Sequence, residues 1–489
     1  MKFFPSGLKS PVVIGRKESL SNLKNFTNAS HSDSNSSSSS SQQVPSTPSS
    51  IPPTPTTHIY SSSSFSNLFQ ELPPELFRNI RPLLIILKAQ KQKVYYNWTL
   101  EKNPDKSLQW EIRYANDTVE KLTSLSLIGP QMQLVTSNTK IEYVLPLINR
   151  NSSFSNFQIS NDNLKFDEPN IVLSCNNTKQ LDLLTSLCSL SIFENISVYK
   201  ALTGTVISTM GFHLPDINMI LNSQYNFKDW CEIYIQGKGW IKAWCHINRK
   251  SNINKSHSNN NNNESGSSSG GNKKNYKPKG KYQIKIYKDI KSNNPTSTAN
   301  LICYIQDCDF VQDVFFYNQY PNFDDCEQFI QNFNSIRILG DVRYNNLDTI
   351  LDDKKKKMFS PKRNVSTSSI KSDSSVNFDL KHNGIIIRPI AHKGLPHLDS
   401  MIKFIIPIFD VTRKYGRPNH FIVSRTDKDS LMFGLPKLPN TNYFKINDNA
   451  HLLSERNMIE SDYDFNDPLT YSMSWVTEYL NKIYKSKTS

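Results

Sequence analysis

Three clusters in one stretch decide the reading of this chain: Tyr199-Lys-Ala-Leu-Thr-Gly-Thr-Val-Ile-Ser208; Asp229-Trp-Cys231 followed by Trp240-Ile-Lys-Ala-Trp-Cys-His-Ile247; and Arg413-Lys-Tyr-Gly-Arg-Pro418 leading to Ser430-Leu-Met-Phe-Gly-Leu-Pro436. Around the middle cluster, Trp230–Ile235 and Trp240–Ile247 read as a hairpin, because the glycines of Gln236-Gly-Lys-Gly239 suit a tight turn. Strand-like runs resume at Tyr282–Tyr287, Ala299–Ile305, Val311–Phe316, Ser335–Leu339 and Gly384–Pro389. A helix over His397–Tyr415 then places Leu398, Met401, Ile402, Ile405, Ile408 and Phe409 on one apolar side.

The preceding residues repeat this order. From Leu72 to Lys93, apolar residues recur at helical spacing, with Pro82 predicting a kink or two short helices. Strand-like segments follow at Val94–Leu100, Trp110–Tyr114, Ser124–Ile128, Gln131–Thr136, Lys140–Leu147 and Ile171–Cys175, and then a long helical run covers roughly Lys179–Ser208. The class is mainly β with α: bent antiparallel sheets, each closed by a C-terminal helix, in tandem over 72–208 and 209–453.

Long segments between and around these units lack the apolar residues to offset chain entropy and are expected to be disordered. They are the Ser/Pro-rich residues 1–70 and the insertions 251–280 and 352–377. Inserts of that length are tolerable because loop-closure cost grows only logarithmically. In the extension 454–489, Asp467-Pro468 caps a helix to about Lys485, whose Leu469, Met473, Val476, Leu480 and Ile483 step by four and three. Such a helix docks on its own domain, self-associates or serves a partner.

With hydrophobic residues at only 37%, two modest domains interrupted by disorder fit the 489 residues better than one continuous fold. The net charge of +14 suggests a polyanionic partner, with acidic membrane, RNA and phosphoprotein all open. Seven cysteines at 175, 188, 231, 245, 303, 308 and 326 form no CxxC pair and no His cluster accompanies them, so no zinc site or disulfide framework is expected. No signal-peptide core and no run of about 18 apolar residues occurs, which points to the cytosol or to a membrane periphery facing it. The chain has no GxSxG, HExxH, GxxxxGK[ST] or Rossmann glycine run, and its histidines lack a paired-carboxylate pattern, so no enzyme, cofactor or metal is predicted.

The order and spacing of the three opening clusters resemble the fungal Skg/Caf-type pleckstrin-homology (PH) proteins, a family associated with the Ccr–Not mRNA deadenylase or with sites of polarised growth. The resemblance implies tandem PH-like barrels and a non-enzymatic adaptor for protein partners, placed in the cytoplasm or peripherally at the plasma membrane or bud sites. Its members carry a long C-terminal region that this chain does not match.

PH domains that grip inositol phosphates set a Lys in the first hairpin and a Lys/Arg-x-Arg on the second strand, so that cations converge on two phosphates. The candidates here are Lys102, Lys106 and Arg113 in the first unit, and Lys238, Lys242, Arg249 and Lys250 in the second. Glu111 and Trp244 stand where further cations belong, so charge-driven adsorption to anionic lipid is expected rather than specific recognition. Lysines at 273, 274, 277, 279, 281 and 354–357 extend the positive charge and suit RNA equally well, which leaves an RNA-associated regulator as the alternative. Trp240 and Trp244 are read as packing within the barrel hairpin. Ser360-Pro361 and Ser366, beside Lys362-Arg363, offer phosphorylation sites that would partly cancel nearby lysine charge.

Overall fold

Helix α1 (Pro74–Gln92) opens the fold, burying Leu76, Ile80, Leu83, Leu84 and Leu87 along one stripe. Pro82 lies inside it without dividing it. The carbonyl orphaned by that proline belongs to Arg78, an exposed residue, so the lost bond does not leave a buried polar group. The computed structural model describes residues 72–441 except 103–106, 139–140, 150–155, 161–162, 215–216, 223–226, 236–237, 250–281, 289–299, 319–320, 346–377, 382–383, 393 and 419; beyond 441 it describes only Tyr479 and Lys482. All of them belong to one compact unit, Ser63–Ser489. The tail 1–70, both long insertions, their lysines and serines, and the five seam residues of the terminal helix lie outside the described residues. Tyr479, however, is helical and 4% exposed within the core.

The first sheet has eight antiparallel strands: β1 (Val94–Thr99), β2 (Trp110–Tyr114), β3 (Val119–Ile128), β4 (Gln131–Thr136), β5 (Glu142–Pro146), β6 (Phe157–Ser160), β7 (Asn163–Phe166) and β8 (Ile171–Cys175). Their order is β5-β4-β3-β2-β8-β7-β6, with β1 also on β3. β1 and β2 are not a hairpin. Val94–Thr99 pairs with Ile128–Ser124 while Glu111–Arg113 pairs with Lys121–Val119, so the two lie end to end along one long β3. Alternation places Leu122, Leu125, Leu127, Met132 and Leu134 in the core. The β6–β7 hairpin, too short to show a pattern, was not foreseen.

The second sheet has nine strands: β9 (Phe227–Ile235), β10 (Gly239–Arg249), β11 (Tyr282–Lys288), β12 (Leu301–Ile305), β13 (Asp313–Tyr317), β14 (Ser335–Leu339), β15 (Val342–Asn345), β16 (Phe378–Lys381) and β17 (Ile385–Pro389). They run β13-β14-β17-β9-β10-β11-β12-β15-β16, all antiparallel. The inner face carries Cys231, Ile233, Ile235, Ala243, Cys245 and Ile247, and is packed by α5 (His397–Thr412), whose Met401, Ile402, Phe404, Ile405 and Ile408 are fully buried. The mainly β, PH-like class read from the sequence therefore stands. Short elements at α3 (Ile217–Asn222) and α4 (Cys326–Gln331), and the strands β15 and β16, are additions to that reading.

Between the sheets runs α2 (Thr178–Met210), 33 residues capped by the Asn177 side chain, which accepts from the Lys179 amide. It is long and apolar enough to cross a membrane, yet 89% of its most apolar window is buried inside the protein. From Leu184 to Gly204 it is buried on every side, as a helix enclosed by two layers must be. The helix expected to close the first barrel is thus equally part of the second, and one continuous apolar core spans both.

Candidate functional site

Two of the three sequence clusters meet at a buried ionic junction. Lys200 Nζ on α2 lies 2.9 Å from Asp313 Oδ1 at the start of β13, with both residues under 10% exposed. The Tyr415 hydroxyl donates to the same Oδ1 at 2.7 Å and accepts from the Val314 amide at 3.1 Å. Burial, then Asp313, pushes the Tyr415 phenol well above its ordinary range, so it stays a donor. Thr203 Oγ1 accepts from the Phe316 amide at 2.8 Å. Amides of edge strand β13 are therefore met by side chains of the Tyr199–Ser208 and Arg413–Pro418 clusters. That closes an edge which would otherwise template pairing with another chain. Arg413 (φ 56°), Tyr415 (φ 63°) and Gly416 (φ 79°) adopt left-handed backbone to deliver the tyrosine, a conformation costly for non-glycine residues.

Neighbouring contacts tighten this junction. Tyr199 stacks on Tyr317 at 5.1 Å, and Arg337 lies over the other partner of that pair, 4.1 Å from the Tyr317 ring, donating to the Asn149 carbonyl of the first unit at 2.9 Å. Gly204 faces Leu431 so closely that a Cβ there would stand 2.5 Å from its Cδ1. Toward the first sheet, Glu194 of α2 receives Lys93 Nζ at 2.8 and 3.0 Å and the Tyr95 hydroxyl. The first and third clusters carry architecture here.

The open part of the second sheet differs. On the outer face of β9 and β10, Trp230 opposes Trp244 with ring centroids 4.6 Å apart, and Tyr234 opposes Trp240 at 5.6 Å, both edge-to-face. Lys242 Nζ sits 4.4 Å above Trp230 and the Arg388 guanidinium of β17 sits 3.9 Å above Trp240 while pairing with Glu232 at 3.5 Å. One row further, His246 lies directly between Lys228 and Lys285 in register. Burial, then these two lysines, hold its imidazole below the usual histidine range, so it is neutral at pH 7. Trp240 and Trp244 are half-buried on this outer face, not inside the barrel as expected. The register explains it: Cys231, Ala243 and Cys245 take the inward positions on either side of them.

The candidate lipid-binding residues are scattered. Lys102 is exposed after β1, Arg113 is exposed on β2, and Glu111 stands two residues away on the same face, opposite Lys121. Lys238 is exposed in the β9–β10 turn and Lys242 lies on the outer face. Arg249 ends β10 at its far end from that turn, roughly 30 Å of strand away. Lys106 and Lys250 lie outside the described residues. The structure thus does not gather Lys238 and Arg249 at one phosphate. Trp230, His246, Lys228, Lys285 and Arg388 were missed, although cross-strand spacing in the hairpin already placed Trp230 beside Trp244. In the barrel interior, burial raises the Cys231, Cys245 and Cys303 thiols, which fits protonated packing groups.

A family model described as a fungal PH-like domain matches residues 213–433. The chain is 36% identical over 473 residues to the uncharacterized protein YJL016W of Saccharomyces cerevisiae, covering 87% of this chain and 79% of that one. It is 26% identical over 285 residues to the CCR4-NOT transcriptional complex subunit CAF120 of the same yeast, covering 56% of this chain and 20% of that protein. No solved structure matches. The matched domain begins just after α2, so it takes in Asp313 and Tyr415 but not their partner Lys200. With a relative this similar along most of both chains, and with the domain's own signature at its core, the chain belongs to the fungal PH-like domain family.

Proposed function

We propose that this protein is a non-enzymatic adaptor, a rigid two-sheet body that presents surfaces to protein partners, in a setting linked to Ccr–Not. The observation that carries this reading is the pair of buried junctions on α2: Lys200–Asp313–Tyr415 ties the helix to the second sheet, and Glu194 with Lys93 and Tyr95 ties it to the first. A body so welded holds distant faces at constant separation, as an adaptor requires. The CAF120 relative is named as a subunit of the CCR4-NOT complex and shares 56% of this chain, which supports the setting, although the match spans only 20% of that protein. The separated positions of Lys238, Lys242 and Arg249 support charge-driven rather than stereospecific contact with anionic membranes. A cytoplasmic or bud-site location belongs to the same proposal.

Affinity purification of the tagged full-length chain, with identification of what co-purifies, tests it. Recovery of Ccr–Not components by the natural chain, and their loss from Asp313→Leu at unchanged expression, is the expected result. Recovery of no protein above background overturns the adaptor reading.

A further inference from the structure

We propose that the outer face of β9, β10 and β11 is a binding platform for single-stranded nucleic acid, with a base stacking on Trp244 and backbone phosphates held by Lys228 and Lys285. This inference stands apart from the adaptor reading and on different residues. Three observations carry it.

First, Lys228, His246 and Lys285 lie abreast on three adjacent strands, in direct register. The two lysines stand about 10 Å apart on either side of a neutral His246, and among the described residues no ion pair reaches Lys228 or Lys285. A row of that kind is open to an anion from outside. Second, the next row holds the paired rings of Trp230 and Trp244. A cation of the chain already lies over Trp230 and another over Trp240, whereas among the described residues none lies over Trp244. Trp244 is therefore the ring left for a base. Third, Glu232, the acidic residue of this face, is engaged by Arg388, so the face meets a ligand with its positive charge dominant.

Cations alternating with aromatic rings along one sheet face are what a single strand needs, since every base has a stacking face and every step carries a phosphate. From Lys228 to Tyr234 the face runs about 20 Å, room for a few nucleotides. A phosphopeptide would use the lysines and leave the rings unexplained. An anionic membrane would take the charges, but these rings are half-buried in the middle of a sheet and do not project for insertion.

The test is fluorescence anisotropy of a labelled 12-nucleotide oligouridylate with the full-length chain. The expected result is salt-sensitive binding, weakened at least tenfold by K228E/K285E and at least fivefold by W244A, with Trp244→Phe restoring most of the loss. Thermal midpoints within a few degrees of the natural chain's accompany the K228E/K285E and Trp244→Phe variants. Should W244A fail to fold, quenching of tryptophan fluorescence by the oligonucleotide in the natural chain replaces it, and no quenching counts against the proposal. Absence of binding, or binding unchanged in K228E/K285E because lysines elsewhere hold the strand, overturns it. Equal affinity for duplex RNA of the same length, or for phosphatidylserine vesicles with the same loss in K228E/K285E, also overturns it in favour of general charge attraction.

Discussion

Two arginines stack on two rings of one sheet, on the same face, to opposite effect. Arg337 on β14 lies 4.1 Å from the Tyr317 ring and is 1% exposed, whereas Arg388 on β17 lies 3.9 Å from Trp240 with its side chain 31% exposed. The register Arg337–Ile386 places both on one side of the sheet, because residues 386 and 388 of β17 share a face. What differs is α2, which covers β13 and β14 and leaves β9 to β11 open. Under the helix, burial lowers the Arg337 guanidinium to about 10, still charged at neutral pH, so its contacts must be kept. In the open, solvent screens the same stack. Near-identical pairs thus specify how two sheets dock at one end and form a surface at the other.

Uncovering the closed half is expected to have the largest effect. A chain beginning at His213 keeps the whole matched domain but exposes Asp313, Phe315, Tyr317 and Arg337. It is expected to lose its cooperative thermal transition. A sharp melt near that of the full-length protein would show that α2 is an accessory and not shared core. A finer cut is Asp313→Leu, which strands a buried Lys200 and is expected to cost about 3–5 kcal/mol in urea unfolding. Adding Lys200→Met removes the stranded charge, and the double variant is expected to regain most of that loss. If the double variant is as unstable as the single one, the junction holds through Tyr415 and not through the ion pair.

The sequence disclosed strands and helices well where hydrophobic period and turn glycines were strong, as in the β9–β10 hairpin and α5. It failed on partnership. Nothing local distinguishes a helix that closes one barrel from one shared by two, and the pairing of Lys200 with Asp313 spans 113 residues. β1 and β2 looked like a hairpin because neighbouring strands usually pair, but a ten-residue β3 is long enough to hold both end to end. For the candidate site, the residue types were visible and their side of the sheet was not. A one-residue shift of register moves every side chain across, and Trp244 is the residue that this ambiguity misplaced.

Within the closed half, Gly204→Leu probes the packing of α2, since a side chain there meets Leu431 at once. Overpacking of this kind is expected to cost about 1–3 kcal/mol, read as a lower thermal midpoint. Combining it with Leu431→Ala, which clears the contact, is expected to recover part of the loss. An additive further loss would mean that the two positions do not share the space.

The smallest effects belong to the open half. Arg388→Met removes a partly exposed ion pair and one ring contact, so about 1 kcal/mol is expected, against several for Arg337→Met under α2. Trp244→Ala removes one ring of an edge-to-face pair, expected to cost about 0.5–1.5 kcal/mol beyond a modest loss of buried area. A fully enclosed Trp would cost about 3–5 kcal/mol on the same change, so the two placements of this ring differ by a margin that urea titration resolves. A loss in the upper range would return Trp244 to the barrel interior and close the open face. A loss in the lower range keeps Trp244 on the outer face, where its ring is open to a ligand, and separates its stability cost from its proposed part in binding.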